Sequence, residues 1–283
     1  MGKQKRSENT YQKINTLYKR DINNIIMQHY EWSCPEFEYL RTLLWDASEK
    51  IDGTNMRIEV TSRIVWDEPM APSFRTGVEF NMVIKGKTDN AQIPPHLEKY
   101  MRETFTESKV YAALGIKKFI PIEEWVEHNW VVSKEDSTPD ESKIPEMYTL
   151  YGEGYGMKIQ KGGGRYLSNS VSFRGFDVKV NDLYLLRDNA MEIFKKLGAD
   201  TVPYFGQMTI DEAIEMVRAG FISTISEDRT LMAEGLVLSS PLGLKNRRGE
   251  RLIVKIKYED FVKYRNKYGT DEKVEQTPNP KMQ

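Results

Sequence analysis

Apolar and polar positions alternate with a period of two over 56–60 and 252–257, the signature of strands with one face buried. The 56–60 segment and the run 62–66 predict the arms of a hairpin, and 80–84 resumes the same sheet after a loop over 67–73 that contains two prolines. Further strands are predicted at 147–150, 171–180 and 234–238. Helical spacing is predicted over 11–31, where Ile14, Leu17, Tyr18, Ile22, Ile25, Ile26 and Tyr30 supply the apolar positions. A second helix follows Pro94-Pro95, with Leu97, Tyr100, Met101 and Phe105 on one face. The aromatic-rich 111–130 stretch extends this into a helical insertion, about 94–146, ending in the acidic, Ser- and Pro-rich loop 133–142. Helices at 188–197 and 210–219 come next, the latter capped by Thr209. Residues 85–93 form a polar loop, with Thr88 to Gln92 conspicuously polar, and 241–250 a basic turn. The whole predicts one domain over 11–265, with flexible termini at 1–10 and 268–283.

One junction in this pattern stands apart. The apolar run Leu43-Leu44-Trp45 leads into Glu49-Lys50-Ile51-Asp52-Gly53-Thr54-Asn55, and the alternating 56–60 segment follows. This places a lysine on a turn between two extended pieces, with Gly53 expected to supply unusual backbone angles. A lysine held beside an acid and a glycine at a strand edge suits covalent nucleotidyl transfer, in which the amine attacks an α-phosphate and pyrophosphate leaves. Lys-x-Asp-Gly alone is equally the composition of a charged hairpin turn.

Composition narrows the setting without choosing the chemistry. The 283 residues, 39% hydrophobic and 11% aromatic, suffice for one large core or two modest ones. Lys and Arg number 41 against 42 Asp and Glu, so any attraction to nucleic acid must come from a local basic face. Cys34 is the only cysteine, and His29, His96 and His128 have no metal-ligand spacing, so neither disulfides nor a thiolate cluster holds the fold. No run approaches the ~18 apolar residues of a membrane span and the start lacks a signal peptide's apolar stretch. A soluble, cytoplasmic protein is expected.

The glycines of Tyr151-Gly152-Glu153-Gly154-Tyr155-Gly156 invite a dinucleotide-binding reading. It fails because no amphipathic helix follows; instead come Lys158-Ile159-Gln160-Lys161, three more glycines and another strand, which predicts a glycine-rich hairpin. Lys158, Lys161 and Arg165 make that hairpin locally basic, as Arg247, Arg248 and Arg251 do for a later turn. Alternation along Lys255-Ile256-Lys257 puts both lysines on one strand face.

Taken in order, Lys50, Gly152-Glu153, Phe176-Asp177, Glu234-Gly235 and Lys255-Ile256-Lys257 resemble the five motifs of covalent nucleotidyltransferases, the ligases and capping enzymes. Phe74-Arg75-Thr76-Gly77 and Ile159-Gln160-Lys161, with Asn55 where DNA ligases and capping enzymes usually have arginine, are similar to the phage and RNA-editing type of ATP-dependent RNA ligase. The resemblance covers roughly 11–262. It implies an α+β nucleotidyltransferase (ATP-grasp-like) adenylation domain, antiparallel sheets with flanking helices around a nucleotide cleft, without a C-terminal OB domain. It also implies ATP as cofactor, with Mg²⁺ or Mn²⁺, and RNA ends, such as those of a nicked duplex, as partner.

The same resemblance implies roles for individual residues. Lys50 would be the adenylated nucleophile, Glu49 would reach the adenine through its backbone, and Ile51 would adjoin the nucleotide. Asn55 and Arg75 would lie on the phosphate and sugar side, and Glu153 would orient the ribose or a metal-bound water. Phe176 and Val237 would flank the adenine, Asp177 and Glu234 would support the metal, and Lys255 and Lys257 would hold the α-phosphate. The physics agrees with these roles: a free lysine, pKa ~10.4, is protonated at neutral pH, and burial beside other cations disfavours its charge. A DNA ligase, a capping enzyme, or an inactive nucleic-acid-binding relative are the alternatives.

Overall fold

A computed structural model of the chain describes residues 10–66, 76–121 and 147–269. Their contacts group into two compact units. The larger comprises 1–12, 52–202 and 226–228, the smaller 13–51, 203–225 and 229–283. The chain first lays down β1 (Asn15–Thr16), α1 (Pro35–Tyr39) and β2 (Trp45–Glu49) in the smaller unit. It passes to the larger unit between Ile51 and Asp52. There follow β3 (Thr54–Trp66), β4 (Thr76–Gly86), α2 (Pro95–Thr104), α3 (Glu107–Leu114), β5 (Phe119–Pro121), β6 (Met147–Gly156), α4 (Gly163–Tyr166), β7 (Val171–Val180), β8 (Leu183–Tyr184) and α5 (Arg187–Leu197). The smaller unit resumes with β9 (Tyr204–Met208), α6 (Ile210–Ala219), β10 (Gly235–Ser239), β11 (Ile253–Lys257) and α7 (Tyr258–Tyr268).

In the larger unit the strands form an antiparallel sheet in the order β5-β4-β3-β6-β7-β8. Met56, Ile58, Val60, Val78, Leu150 and Val178 bury one face with Leu97, Met101, Val110 and Phe194 from the helices. The glycines of β6 are explained by this packing: a Cβ on Gly152 would lie 2.1 Å from the Phe173 ring, and one on Gly154 2.5 Å from Leu97. They make room for side chains, and the glycine-rich hairpin predicted from the sequence is formed by β6 and β7.

In the smaller unit the order is β1-β11-β10-β2-β9, antiparallel except for the β1–β11 pair. Its core joins Ala47, Leu236, Leu238, Val254 and Ile256 to Ile210, Ala213 and Val217 of α6 and Phe261 of α7. Thr209 caps α6 through a full capping box: its hydroxyl accepts the Glu212 N–H, and the Glu212 carboxylate accepts the Thr209 N–H.

Four expectations change. Residues 11–31 are not helical. The Asp21 carboxylate accepts the N–H groups of Asn23 and Ile25, and Asn24 turns to φ 62°, so the chain doubles back and Tyr18 bridges Trp32 while Arg20 bridges Ile26. The 56–66 stretch is one strand and not a hairpin: it contains no Gly, Pro, Asn or Asp to turn the chain, and its partner over that length is β4. The 111–130 prediction holds only to Leu114, where Gly115 (φ 70°) ends α3 and the chain enters β5; 122–146, including the 133–142 loop, lies outside the described residues. Gly53 is not in the left-handed region. Its requirement is close approach, since a Cβ there would stand 2.3 Å from the Gly154 carbonyl oxygen.

Candidate functional site

In the smaller unit, strand alternation divides β11 into a core face, Val254 and Ile256, and an opposite face carrying Lys255 and Lys257. Lys255 stands across from Val237, and Val237 across from Ser48, so these three residues lie on the same face, opposite the core. Lys50, one residue past β2, is held by its N–H, which donates to the Gly235 carbonyl at 2.9 Å. Its Nζ lies 2.5 Å from Glu234 Oε2, while Lys257 Nζ lies 2.6 Å from Glu234 Oε1. One carboxylate therefore bridges two lysines, one to each oxygen. Gly235 makes that turn possible: its φ is 142°, and a Cβ would lie 1.9 Å from the Ile256 carbonyl oxygen.

The cations outnumber their partners. Lys255 has no ion pair among the described residues, and burial, then the charges of Lys50, Lys257 and Arg20, push its amine below the ordinary lysine range. Burial alone would also lower Lys257, but the Glu234 contact, with Asp260 beyond it, reverses the sign and raises it. Arg20 donates to Asp260 at 2.5 Å, and burial nevertheless pushes the Asp260 carboxyl up. Four cations thus face Glu234 and Asp260, and Glu259, which also feels Lys257 and Arg20, is balanced by its own pair with Lys263, leaving an excess of two positive charges. Like charges held in partly buried surroundings are costly unless an anion joins them.

Glu49 is nearly fully buried, and its carboxylate accepts from Ser223 Oγ (2.5 Å), Thr224 Oγ1 (2.6 Å) and the Thr224 N–H (3.0 Å). Its own N–H donates to the Pro203 carbonyl. The side chain is thus an anchor that fixes the end of β2, and with it the base of Lys50. Ile51 is also buried. Sequence reasoning missed Arg20, Asp260, Ser223 and Thr224. The acids of 259–260 followed by basic residues at 263, 265 and 267 are a helix signature that would have exposed α7, and with it Asp260.

The larger unit holds the other candidates. Asn55 on β3 is in register with Glu153 on β6, which is in register with Arg174 on β7. The Asn55 Oδ1 is buried without a hydrogen-bond partner among the described residues. Phe176 is the extra residue of a β-bulge between the Tyr151–Asp177 and Gly152–Gly175 pairs, a device that re-aims side chains. Its ring meets Tyr11 edge-on at 5.1 Å, and the Tyr11 hydroxyl donates to Asp177 at 2.5 Å. The polar 88–92 loop finds its explanation here: Asp89 pairs with Arg57 and Lys85, and Glu59 with the same two cations. Arg75 lies outside the described residues.

Among the described residues no group of three or more His, Cys, Asp or Glu side chains is disposed to hold a metal ion. No described helix is long and apolar enough to cross a membrane.

Comparison with curated proteins gives no match. Among solved structures, the chain is similar to an apo mutant of a Naegleria gruberi RNA ligase (14% identity, TM-score 0.47, covering 88% of this chain and 57% of that one). A mutant of a Naegleria gruberi RNA ligase with AMP and Mn gives 13% identity, TM-score 0.47, and coverage of 88% and 62%. A further apo mutant gives 15%, 0.46, 94% and 64%. The chain spans less than two thirds of the length of these ligases. The RNA ligase family profile matches residues 44–257, about three quarters of the chain and the whole run from the turn before Lys50 to Lys257. The chain belongs to the RNA ligase family.

Proposed function

We propose that the chain is an ATP-dependent polynucleotide ligase, acting on RNA ends through an adenylated Lys50. The observation that carries this reading is the cluster in which Lys50, Lys255 and Lys257 surround the single carboxylate of Glu234. In the first step the Lys50 amine attacks the α-phosphorus of ATP, a P–N bond forms, and the P–O bond to pyrophosphate breaks. Glu234, 2.5 Å from Nζ, is within reach to receive the ammonium proton. Lys255 and Lys257 take the equatorial oxygens of the α-phosphate, where preorganised cations stabilise the developing charge most. AMP then passes to a 5′-phosphate, freeing Lys50, and a 3′-hydroxyl attacks that phosphate and expels AMP.

Family resemblance supports Asn55 and Arg75 as contacts to the nucleotide's sugar and phosphates. It supports Glu153 as the acid that orients the ribose or a metal-bound water, and Phe176 and Val237 as flanks of the base. Glu49 and Ile51 belong to the nucleotide contacts on the same ground. On the same resemblance Glu234 and Asp177 are the acidic groups that would support Mg²⁺, or Mn²⁺, which would neutralise phosphate charge.

The test is a joining assay with a nicked RNA duplex bearing 5′-phosphate and 3′-hydroxyl ends. The proposal expects a full-length product that needs ATP and a divalent cation and is lost in Lys50→Ala. Joining by Lys50→Ala at the wild-type rate would overturn it.

A further inference from the structure

The segment 157–166, which joins β6 to β7, has features that packing alone does not account for. Lys158 and Gln160 are both in the left-handed region, at φ 60° and 57°, conformations that non-glycine residues rarely adopt and that persist only where the surroundings impose them. The anchors that impose them are explicit. Ile159 and Tyr166 are buried, and His96 Nε2 lies 2.9 Å from the Met157 carbonyl. Gly163 is packed so closely that a Cβ would lie 2.1 Å from the Gly156 carbonyl oxygen.

Two further bonds tie the segment to the stretch just after the nucleophile. Gln160 Nε2 donates to the Gly53 carbonyl at 3.0 Å, and the Asp52 N–H donates to the Tyr166 hydroxyl at 3.2 Å. Asp52 and Gly53 are the second and third residues after Lys50 in the chain. Alternating with the anchored residues, Lys158 and Lys161 are exposed, and neither has an ion pair among the described residues. Arg165 is paired with Asp228, and 157–165 contains no acidic residue.

We infer that this rigid segment is a docking element for backbone phosphates of the nucleic acid being joined, with Lys158 and Lys161 as its phosphate contacts and Gln160 and Tyr166 as the ties that register it to the turn after Lys50. The inference rests on the reading proposed above for its choice of ligand. A flexible loop with two lysines would lose entropy on binding; a loop already fixed in a strained backbone presents both charges without that cost. The contacts are to phosphates, so they would position a strand without reading its sequence.

The test measures binding of a fluorescent nicked RNA duplex with a 5′-phosphate, across a salt series, to wild type and to K158E/K161E. Two lost phosphate contacts predict affinity weaker by about tenfold or more near 0.1 M salt, with a log–log salt slope shallower by about one to two. A second variant, K158G/K161Q, guards against misfolding: glycine prefers the φ that Lys158 is forced to adopt, so the loop geometry is kept while both charges go. It should weaken binding in the same direction. Unchanged affinity and slope in both variants would overturn the inference. So would unchanged nucleic-acid binding with weakened ATP binding, which would assign the lysines to the nucleotide. Lysine labelling from ATP, followed in the same preparations, separates the two readings. Wild type without label would sink the catalytic proposal and leave the binding result standing, whereas labelled wild type with loop variants that bind normally would sink only this one.

Discussion

Two charged clusters occupy sheet faces of this chain, one in each unit, and their arithmetic differs. In the larger unit, Arg57 and Lys85 meet Glu59 and Asp89, two cations against two carboxylates, and each cation pairs with both acids. In the smaller unit, Lys50, Lys255, Lys257 and Arg20 meet Glu234 and Asp260, and the nearby Glu259 has its own partner in Lys263, so two positive charges are left over. The balanced cluster is complete by itself: Arg57 is fully buried and Glu59 nearly so, as fully paired charges can be. The unbalanced cluster is complete only with an anion. Charged side chains on alternating strand positions, Arg57 and Glu59 in one unit and Lys255 and Lys257 in the other, thus yield a structural network in one place and a candidate phosphate site in the other.

The contrast can be broken from either side. Replacing Lys257 by Met should lower lysine labelling from ATP by a hundredfold to a thousandfold, the scale seen when one preorganised transition-state donor is lost. The folded fraction should be little changed, because the site loses an excess charge. Arg57→Met should do the reverse. It leaves Lys85 alone to face both Glu59, which is buried, and Asp89, and should cost about 3 kcal/mol in denaturant unfolding, with labelling per folded molecule within twofold of wild type. A labelling loss in Arg57→Met as large as that in Lys257→Met would erase the distinction.

A pH profile sharpens the comparison further. The Glu234 contact holds the Lys257 amine above its ordinary range, so its charge is fully present below the unfolded value and is lost only as pH rises through the higher folded one. In Glu234→Gln that support goes, and the alkaline limb of labelling should move to lower pH. A limb that stays in place would show that Lys257 is not the group that titrates there. The smallest effect is expected at a site outside both clusters: Thr209→Ala removes the cap of α6 and should cost about 1 kcal/mol with no change in labelling per folded molecule.

Much of the candidate site was legible in the sequence because its elements are local. Period-two alternation placed Lys255 and Lys257 on one face, and Glu234-Gly235 needed only the strand that follows it. What remained hidden depended on distant partners. The Glu49 carboxylate meets Ser223 and Thr224 some 174 residues on, and nothing in a serine or threonine announces such a partner. Tyr11 reaches Asp177 across 166 residues in the same way. The misread 11–31 stretch failed for a local reason: its apolar residues lay at mixed spacing, and Asp21 with Asn24 formed a turn that competes with a helix. The bulge at Phe176 was invisible because a one-residue insertion leaves the apolar pattern on either side intact.

The central claim is that the unbalanced lysine cluster exists to take a nucleotide's α-phosphate onto Lys50. The most direct measurement is incubation of the purified protein, first stripped of bound AMP with pyrophosphate, with Mg²⁺ and α-labelled ATP or GTP, followed by a denaturing gel, beside Lys50→Ala. The account predicts acid-labile label from ATP, little from GTP, and none in Lys50→Ala. Label retained by Lys50→Ala, or folded wild-type protein that takes none from either nucleotide, would contradict it.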